Sequence, residues 1–266
     1  RVPIRSVTLL IVKGLLLGTS LYLVSVPISI GNYISRTIQR RLTMAWRSSG
    51  ASNEALIENL FKNSLITSSR VKQAMLGVDR AHYAPHAPYQ DSPQPIGHHA
   101  TISAPHMHAA ACESLLPFLQ PGARVLDVGS GSGYLTHVLA ELVRPGGTVV
   151  GVEHLQPLVD LGTKNTRSSP EGSELLVNGG IKYVKADGRL GHPEGAPYDA
   201  IHVGAAAAGF HQPLIDQLKA PGRLFIPVEE SHVQHIYVID KREDGSIAKK
   251  KEYGVRYVPL TDAPPE

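Results

Sequence analysis

The spacing of hydrophobic residues changes near residue 124, and this change separates two groups of predicted elements. Before it, apolar positions recur at helical intervals in three stretches, residues 52–63, 68–78 and 106–118. Side chains that can cap a helix N-terminus open the first two stretches, Ser52 or Asn53 and Ser68 or Ser69. Residues 84–105, before the third stretch, have no period and contain five prolines, which is typical of a functional loop.

After residue 124, short apolar runs alternate with helical stretches. The predicted strands are residues 124–128, 148–152, 181–185, 200–203, 223–228, 233–239 and 254–259. The predicted helices are residues 134–143, 155–166 and 211–218. Because helical stretches separate most of the first five strands, we expect an α/β fold with a largely parallel sheet covered on both faces. The turn Asp244-Gly245 between the last two strands predicts an antiparallel hairpin at one edge.

Charge distinguishes the first 43 residues from the rest. Residues 1–43 carry six Lys/Arg and no acid. Within them, residues 14–35 form an uncharged run of 22 residues, about 33 Å as a helix and long enough to cross a ~30 Å hydrocarbon layer. Three interpretations stay open: a membrane anchor, an organelle transit peptide, or a leader outside the working domain. That domain is predicted over residues 44–266, with helices and a loop in 44–122 and the sheet core in 123–266.

Composition excludes several kinds of protein. The single cysteine, Cys112, rules out an internal disulfide framework and a four-cysteine zinc site. The histidines show no spacing typical of a metal site, so no metal is expected. Residues 44–266 hold 20 basic and 23 acidic residues, a net charge of −3. This charge disfavours a protein that holds nucleic acid mainly through electrostatics.

Residues 125–133, VLDVGSGSG, carry the strongest chemical signal, because a buried strand runs into three alternating glycines and then a helix. Three other kinds of glycine loop fail on particular residues. A dinucleotide loop needs glycine where Tyr134 stands, and a phosphate loop needs a lysine that is absent between Arg124 and Arg144. A nucleophile elbow needs glycines two positions either side of a serine, which neither Ser130 nor Ser132 has.

Asp127 followed by G-x-G-x-G resembles the cofactor loop of class I S-adenosylmethionine-dependent methyltransferases. Glu153 ends the second strand, 20 residues after Gly133, where its two oxygens can accept hydrogen bonds from both ribose hydroxyls. Asp187, followed by Gly188, comes after the third strand, where it can bind an adenine amino group. The structural alternatives are a solvated acid at a strand end and a simple Asp-Gly turn.

The residues disfavour methylation of nucleic-acid bases within this class. Related families that methylate base amines place an Asn/Asp-Pro-Pro-Tyr/Phe loop after the fourth strand, where this chain has His202-Val-Gly-Ala-Ala-Ala and no ring to stack a flipped base. Carbon-5 cytosine methylation needs a cysteine nucleophile. Cys112 lies among alanines on a predicted helix, where we expect it to be buried and inert.

Six segments make the resemblance closer, to the protein-L-isoaspartate (D-aspartate) O-methyltransferase family. They are residues 44–52 (MAWRSSGAS), 91–94 (DSPQ), 100–109 (ATISAPHMHA), 126–133 (LDVGSGSG), 196–207 (APYDAIHVGAAA) and 258–262 (VPLTD). The likeness spans residues 44–262, and the segment 100–109 is its most specific part. It implies a Rossmann-like class I methyltransferase fold with a mostly parallel sheet, helices on both faces, an antiparallel edge hairpin and an N-terminal helical cap.

The resemblance also implies an activity and its partners. The family transfers a methyl group from S-adenosyl-L-methionine to the α-carboxyl of L-isoaspartyl residues in damaged proteins, leaving S-adenosyl-L-homocysteine. The ester collapses to a succinimide, which can reopen to aspartate. The expected partners are therefore damaged proteins and peptides, and not nucleic acid. The family works as a cytosolic monomer without a metal, and membrane association is expected only if residues 14–35 are a genuine anchor.

The same match implies roles for individual residues. Ser103 is the expected catalytic residue, whose hydroxyl holds the acceptor carboxylate, and the structural alternative is that it caps the helix near His106. An acceptor carboxylate, with a pKa near ~3.9, is ionised at neutral pH and needs no strong base. The residues expected to bind the cofactor are Ala100, Thr101, Ile102, Ser103, His108, Asp127, Val128, Gly129, Ser130, Gly131, Ser132, Glu153, His154, Asp187, Gly188 and Thr261.

Two departures from the family pattern leave other functions open. The chain ends five residues after Thr261, and residues 1–43 have no counterpart in the cytosolic enzyme. A class I methyltransferase that acts on a small molecule or on RNA is one alternative. A membrane-tethered adaptor that binds cofactor or altered proteins with little turnover is the other.

Overall fold

The computed structural model describes residues 48–262, so the predictions for residues 1–43 lie outside it. Its α-helices are α1 (Asn53–Lys62), α2 (Ser69–Gly77), α3 (Pro105–Leu115), α4 (Tyr134–Leu142), α5 (Gln156–Thr166), α6 (Pro170–Val177) and α7 (Gln212–Asp216). Its strands are β1 (Gln94–Gly97), β2 (Ala100–Ile102), β3 (Arg124–Val128), β4 (Thr148–Glu153), β5 (Ile181–Lys185), β6 (Tyr198–Val203), β7 (Leu218–Glu230), β8 (Val233–Lys241) and β9 (Ile247–Val255). Among these residues, no helix is long and apolar enough to cross a membrane.

The predicted serine caps of the first two helices are confirmed. The Ser52 hydroxyl accepts from the Ala55 N–H at 3.1 Å, and the Ser68 hydroxyl accepts from the Arg70 N–H at 3.1 Å. Each bond satisfies a backbone donor that the first helical turn leaves free. Helix α1 buries Leu56, Ile57 and Leu60 completely, which explains why this short helix is stable within the fold, whereas Phe61 is exposed.

The segment predicted as an irregular loop contains a small hairpin, so that prediction was wrong in part. Strands β1 and β2 pair antiparallel, with Gln94 opposite Ile102. The turn between them puts His98 and His99 in the left-handed region, at φ angles of 51° and 57°. Strands of four and three residues are too short to show an alternation of apolar and polar residues. Pro95 in the first strand also argues against a strand in a sequence-based prediction.

The main sheet has seven strands in the order β5-β4-β3-β6-β7-β8-β9. Strands β3 to β7 are parallel to their neighbours, and β8 and β9 continue the sheet antiparallel at one edge. The largely parallel sheet and the edge hairpin are both confirmed. Two clusters of buried apolar side chains pack against this sheet. Cys112 belongs to one of them, and its complete burial, which raises the pKa of its thiol, agrees with the expectation of an inert residue.

Two element predictions at the C-terminal side need correction. The last strand is Ile247–Val255 and not residues 254–259, because its exposed lysines, Lys249 to Lys251, conceal it from a search for apolar alternation. Helix α6, which Ser169 caps by accepting from the Gly172 N–H, was not predicted. This helix buries only Gly172 and Leu175, so its hydrophobic signal is weak.

Strand β3 lies between β4 and β6, which places it where the sheet reverses its direction of growth. From β3 the chain builds outward through β4 to β5 and then crosses back to β6 on the other side. The connections leaving β3 and β6 therefore diverge at the carboxyl ends of these strands. Open parallel sheets bind their ligands in the crevice formed at this kind of point.

Candidate active site

A narrow cleft lies at the carboxyl ends of β3 and β6. Its lining combines the loop after β2, the glycine loop after β3, the start of α4 and the end of β6. The lining residues are Thr101, Ile102, Ser103, His108, Asp127, Gly129, Ser130, Gly131, Ser132, Tyr134, Leu135, His202 and Gly204. The structure thus brings the segment 100–109 and the glycine loop together, although the chain separates them by some 20 residues.

The glycine loop is held by backbone hydrogen bonds that only glycines allow. Gly129, Gly131 and Gly133 have φ angles of 75°, 52° and 91°, a region that side chains disfavour. The N–H groups of Gly129 and Ser130 both donate to the carbonyl of Val152, at 2.8 and 3.1 Å. The loop therefore turns sharply away from β3 while it stays attached to the end of β4.

Asp127, before this loop, is engaged by side chains on both sides. One carboxylate oxygen accepts from the Thr136 hydroxyl at 2.6 Å, and the other lies 2.8 Å from Nδ1 of His202. Asp127 and His202 are register partners on β3 and β6, which explains the second contact. Asp127 is only 1% exposed, so these donors compensate the cost of burying its charge. Its main contribution is to fix the glycine loop to α4 and β6.

Glu153 supports the glycine loop from the end of β4. One oxygen accepts from the Gly131 N–H at 3.1 Å, and the other accepts from the His154 N–H at 2.8 Å. The carboxylate is buried, and Nδ1 of His154 also lies 2.8 Å from the oxygen that accepts from the His154 N–H, so the oxygen that accepts from Gly131 is the one with a lone pair left for a further donor. Glu153 itself is not among the cleft-lining residues. Its link to the cleft is the hydrogen bond that it accepts from Gly131, which does line it.

The cleft has the donor and acceptor groups that a nucleoside cofactor with an amino-acid tail requires. Within the described residues, the Ser130 hydroxyl and the Tyr134 phenol are buried without a hydrogen-bond partner. Buried polar groups without partners are costly and mark places where a ligand can complete the hydrogen bonding. With the glycines that admit a close approach, these groups fit S-adenosyl-L-methionine.

Ser103 lies between β2 and α3 and is half-buried at the cleft. Ala104, and not Ser103, is the N-cap residue of α3, and the carboxylate that accepts from the first turn is that of Asp91, which bonds the His106 N–H at 3.0 Å. The interpretation of Ser103 as a helix cap was therefore wrong. Its hydroxyl faces Tyr257, whose phenol pKa is raised by burial and lowered in part by Ser103. Ser103 also lines the cleft, so a bound acceptor can replace Tyr257 as the partner of its hydroxyl.

Seven of the residues expected to bind the cofactor do not line the cleft. They are Ala100, Val128, Glu153, His154, Asp187, Gly188 and Thr261. Val128 and Gly188 are nevertheless in contact, because a Cβ on Gly188 would overlap the Val128 side chain. Asp187 binds Arg189 through both oxygens, and Arg189 also pairs with Asp262, beside Thr261. The contacts of these seven residues with the cofactor stay predictions.

Four lining residues were missed by the sequence argument: Tyr134, Leu135, His202 and Gly204. The first two open α4 immediately after the glycine loop, so their place in the chain was a usable signal. His202 and Gly204 lie at the end of β6, and the Gly204 N–H donates to the Val128 carbonyl at 2.8 Å. Only the pairing of β3 with β6 brings them to the site.

Known proteins that resemble this chain agree on one family. The sequence profile of the protein-L-isoaspartate(D-aspartate) O-methyltransferase family matches residues 51–264. A protein-L-isoaspartate O-methyltransferase of Caenorhabditis elegans is 50% identical over 218 residues, which cover 82% of this chain and 96% of that protein. One from Triticum aestivum is 49% identical over 211 residues, covering 79% of this chain and 91% of the wheat protein.

A solved structure gives the same result at the level of the fold. It is a crystal structure from Plasmodium falciparum, described as a protein-L-isoaspartate O-methyltransferase in complex with S-adenosyl-L-homocysteine. It is 37% identical, covers 80% of this chain and 99% of its own, and superposes with a TM-score of 0.74. The chain belongs to the protein-L-isoaspartate(D-aspartate) O-methyltransferase family.

Proposed function

We propose that the cleft after β3 and β6 binds S-adenosyl-L-methionine beside an L-isoaspartyl residue of a damaged protein, and that Ser103 positions the acceptor carboxylate. The chain is a protein-L-isoaspartate O-methyltransferase, and it uses S-adenosyl-L-methionine as methyl donor. The observation that carries the proposed site is that Ser103 and the glycine loop line one cleft. The transfer needs the acceptor and the methyl donor in direct contact, and this cleft offers both groups within one space.

The residues of the glycine loop would hold the cofactor. Glu153 would accept from the ribose hydroxyls, one through the oxygen that also accepts from Gly131 and one through the oxygen from which the His154 ring would turn away. The Ser130 hydroxyl and the Tyr134 phenol would gain partners from the polar end of the ligand. The sulfonium centre supplies a methyl group that is already activated for transfer. The chain therefore has to orient this group, and the bent backbone at Gly129 to Gly133 provides that orientation.

The reaction needs no general acid or base from the protein. The acceptor carboxylate is ionised at neutral pH, so its oxygen can attack the methyl carbon directly. The new C–O bond forms as the S–C bond breaks, and the bonding electrons stay on sulfur, which leaves a neutral thioether and a methyl ester. A strong base would gain nothing here. A neutral donor such as the Ser103 hydroxyl holds the carboxylate without neutralising it, which agrees with the cleft's hydroxyl, phenol and imidazole groups.

The repair sequence follows from the chemistry of the ester. Methylation makes the carboxyl a good acyl centre. The adjacent backbone nitrogen can attack it and expel methanol to form a succinimide, whose hydrolysis opens either carbonyl and so returns part of the product as aspartate. Methylation of D-aspartyl residues, action as a monomer and a cytosolic site of action belong to the same proposal. They are supported by the family resemblance, and binding to nucleic acid is not part of it.

Replacing Ser103 by alanine should lower kcat/KM for an isoaspartyl peptide about 30-fold. The lost bond joins a hydroxyl to a charged oxygen, and such bonds contribute about 1.5–3 kcal/mol. Cofactor affinity should stay within about threefold, because the glycine loop and Glu153 are untouched. The measurement is methyl transfer alongside calorimetric binding of S-adenosyl-L-homocysteine.

Ser173→Ala on α6 is the control for the loss of a serine hydroxyl, since Ser173 bonds only the local Arg167 carbonyl. It should keep the activity of the wild-type chain. Near-normal activity of Ser103→Ala would remove Ser103 from the mechanism. A loss of cofactor binding in that variant would make it a cofactor ligand instead.

A further inference from the structure

Arg80 is a fully buried cation directly beneath the segment that carries Ser103 and His108. Its side chain is 0% exposed, and it follows α2 at the start of a short 3-10 turn, Arg80–His82. One terminal nitrogen donates to the Ser103 carbonyl at 2.8 Å, and the other lies 3.3 Å from Nδ1 of His108. Three segments of the chain therefore meet at this guanidinium.

The surroundings of Arg80 are unusual for a buried charge. Among residues 48–262, no carboxylate forms an ion pair with it, and its Nε has no hydrogen-bond partner. The guanidinium instead lies over the Tyr134 ring, 5.3 Å from the ring centre. The negative charge of Asp91 favours the charged form of Arg80 without a hydrogen bond between them. One Asp91 oxygen accepts from the His106 N–H and lies 2.8 Å from Nδ1 of His106. Burial lowers the pKa of Arg80 to about 10, so it is still charged at neutral pH.

A guanidinium can only donate hydrogen bonds, and this restricts the protonation of His108. An N–H of Arg80 points at Nδ1, so Nδ1 must be the acceptor and the proton of the neutral imidazole must sit on Nε2. His108 lines the cleft, and Nε2 is the nitrogen left to meet a ligand. A second proton on Nδ1 would break the contact and place two positive charges together.

We propose that Arg80 is a positioning residue of this methyltransferase: it holds the His108 imidazole in the Nε2–H form, as a donor into the cleft, and fixes the backbone that carries the Ser103 hydroxyl. This inference rests on the proposed function of the cleft. It assigns to Arg80 no contact with the substrate. The result is a site in which a serine hydroxyl and an imidazole N–H both present donors to an anionic acceptor.

The other groups around His108 keep it neutral. Burial is the largest cause that holds the pKa of His108 well below 6.5. The positive charge of Arg80, and then His202 at the end of β6 and His106 on the same helix, lower this pKa further. The Tyr134 ring covers it at 5.1 Å between ring centres. The acids nearby, Asp127 and Asp91, are bonded to His202 and His106 and not to His108. The imidazole therefore stays a donor across the physiological range.

The test is nitrogen NMR of the full chain labelled with 15N-histidine, which distinguishes the two neutral forms of each imidazole. The signal of His108 is assigned by its loss in His108→Gln. The wild-type chain should show His108 in the Nε2–H form, without titration between about pH 5.5 and 8. The other neutral form, or a titration in that range, would overturn the proposal without any substitution at Arg80.

Substitutions then separate positioning from packing. Arg80→Met should give a mixture of the two imidazole forms and lower kcat/KM about 20-fold. Arg80→Lys keeps a charged donor and should restore the Nε2–H form and most of the activity. Should Arg80→Met fail to fold, the wild-type chain and Arg80→Lys still decide the question.

Arg70→Met is the control for losing a guanidinium that holds backbone, because the exposed Arg70 donates to the carbonyls of Leu119 and Leu142, away from the cleft. It should lose stability and leave His108 in the Nε2–H form. An Arg80→Met variant that behaves like it, with His108 still in the Nε2–H form, would make Arg80 a structural residue only. Absence of methyl transfer in the wild-type chain would contradict the proposed function and leave the imidazole result to be judged separately.

Discussion

Replacing Gly133 by alanine will destabilise the protein by about 3 kcal/mol and prevent cofactor binding at ordinary concentrations. Gly133 has a φ of 91°, and an added Cβ would meet the Tyr183 hydroxyl and lie 3.1 Å from the Gly162 Cα. The Tyr183 ring cannot withdraw, because its hydroxyl bonds Thr166 at 2.9 Å and the Gly133 carbonyl at 3.3 Å. Left-handed strain of about 1–2 kcal/mol and overpacking of about 1–3 kcal/mol give the expected sum.

Gly179→Ala separates the two causes of this loss. Gly179 has a φ of 81°, and nothing lies within 4 Å of an added Cβ. It should therefore suffer the backbone strain alone and lose about 1 kcal/mol in urea unfolding. Equal losses in the two variants would show that contact with Tyr183 and Gly162 costs nothing and that the loop tolerates a side chain at Gly133.

Replacing Glu153 by alanine will weaken the binding of S-adenosyl-L-homocysteine about 300-fold. The variant would lose the two charge-assisted hydrogen bonds that we propose between Glu153 and the ribose, each worth about 1.5–3 kcal/mol, and a 300-fold change corresponds to about 3.4 kcal/mol. It also leaves the Gly131 and His154 N–H groups without their acceptor, which loosens the loop. Isothermal titration calorimetry of the full chain measures the affinity.

Two further variants make the Glu153 result specific. Glu153→Gln keeps one carbonyl acceptor in the same shape and should weaken binding only about tenfold. Glu174→Gln removes a carboxylate that pairs with Arg144 at an exposed site, and it should leave affinity unchanged. If Glu153→Ala binds within about threefold of the wild-type chain, the ribose is held elsewhere and the assignment of Glu153 is wrong.

The parts of the fold that the sequence predicted are those in which a local pattern is strong. The run from Val125 to Gly133 combines a buried strand, three glycines and a helix start within nine residues, so strand, loop and helix were all found. Strand β9 was misplaced because it lies at the edge of the sheet. Its lysines face solvent and protect the sheet edge from pairing with another chain, so the strand lacks the apolar alternation of a half-buried strand.

Within the site, predictions failed where a contact depends on distant parts of the chain. Arg80 contacts Ser103 and His108, 23 and 28 residues away, and a lone arginine after a helix is normally an exposed residue. His202 meets Asp127 only through the register of β3 with β6, which no local pattern predicts. Ser103 was found through its resemblance to a family segment, and its placement in the cleft depends on the β1–β2 hairpin that the sequence concealed.

The central claim, methyl transfer to isoaspartate, is tested most directly with two peptides that differ only in isoaspartate versus aspartate. The full chain is incubated with tritium-labelled S-adenosyl-L-methionine and each peptide, and base-labile label is counted as methyl ester. Label on the isoaspartyl peptide alone is the predicted result. Equal label on both peptides would contradict it and show a carboxyl methyltransferase that does not select isoaspartate. No label on either peptide, while S-adenosyl-L-homocysteine still binds, would also contradict it and point to an RNA or small-molecule acceptor, or to an adaptor.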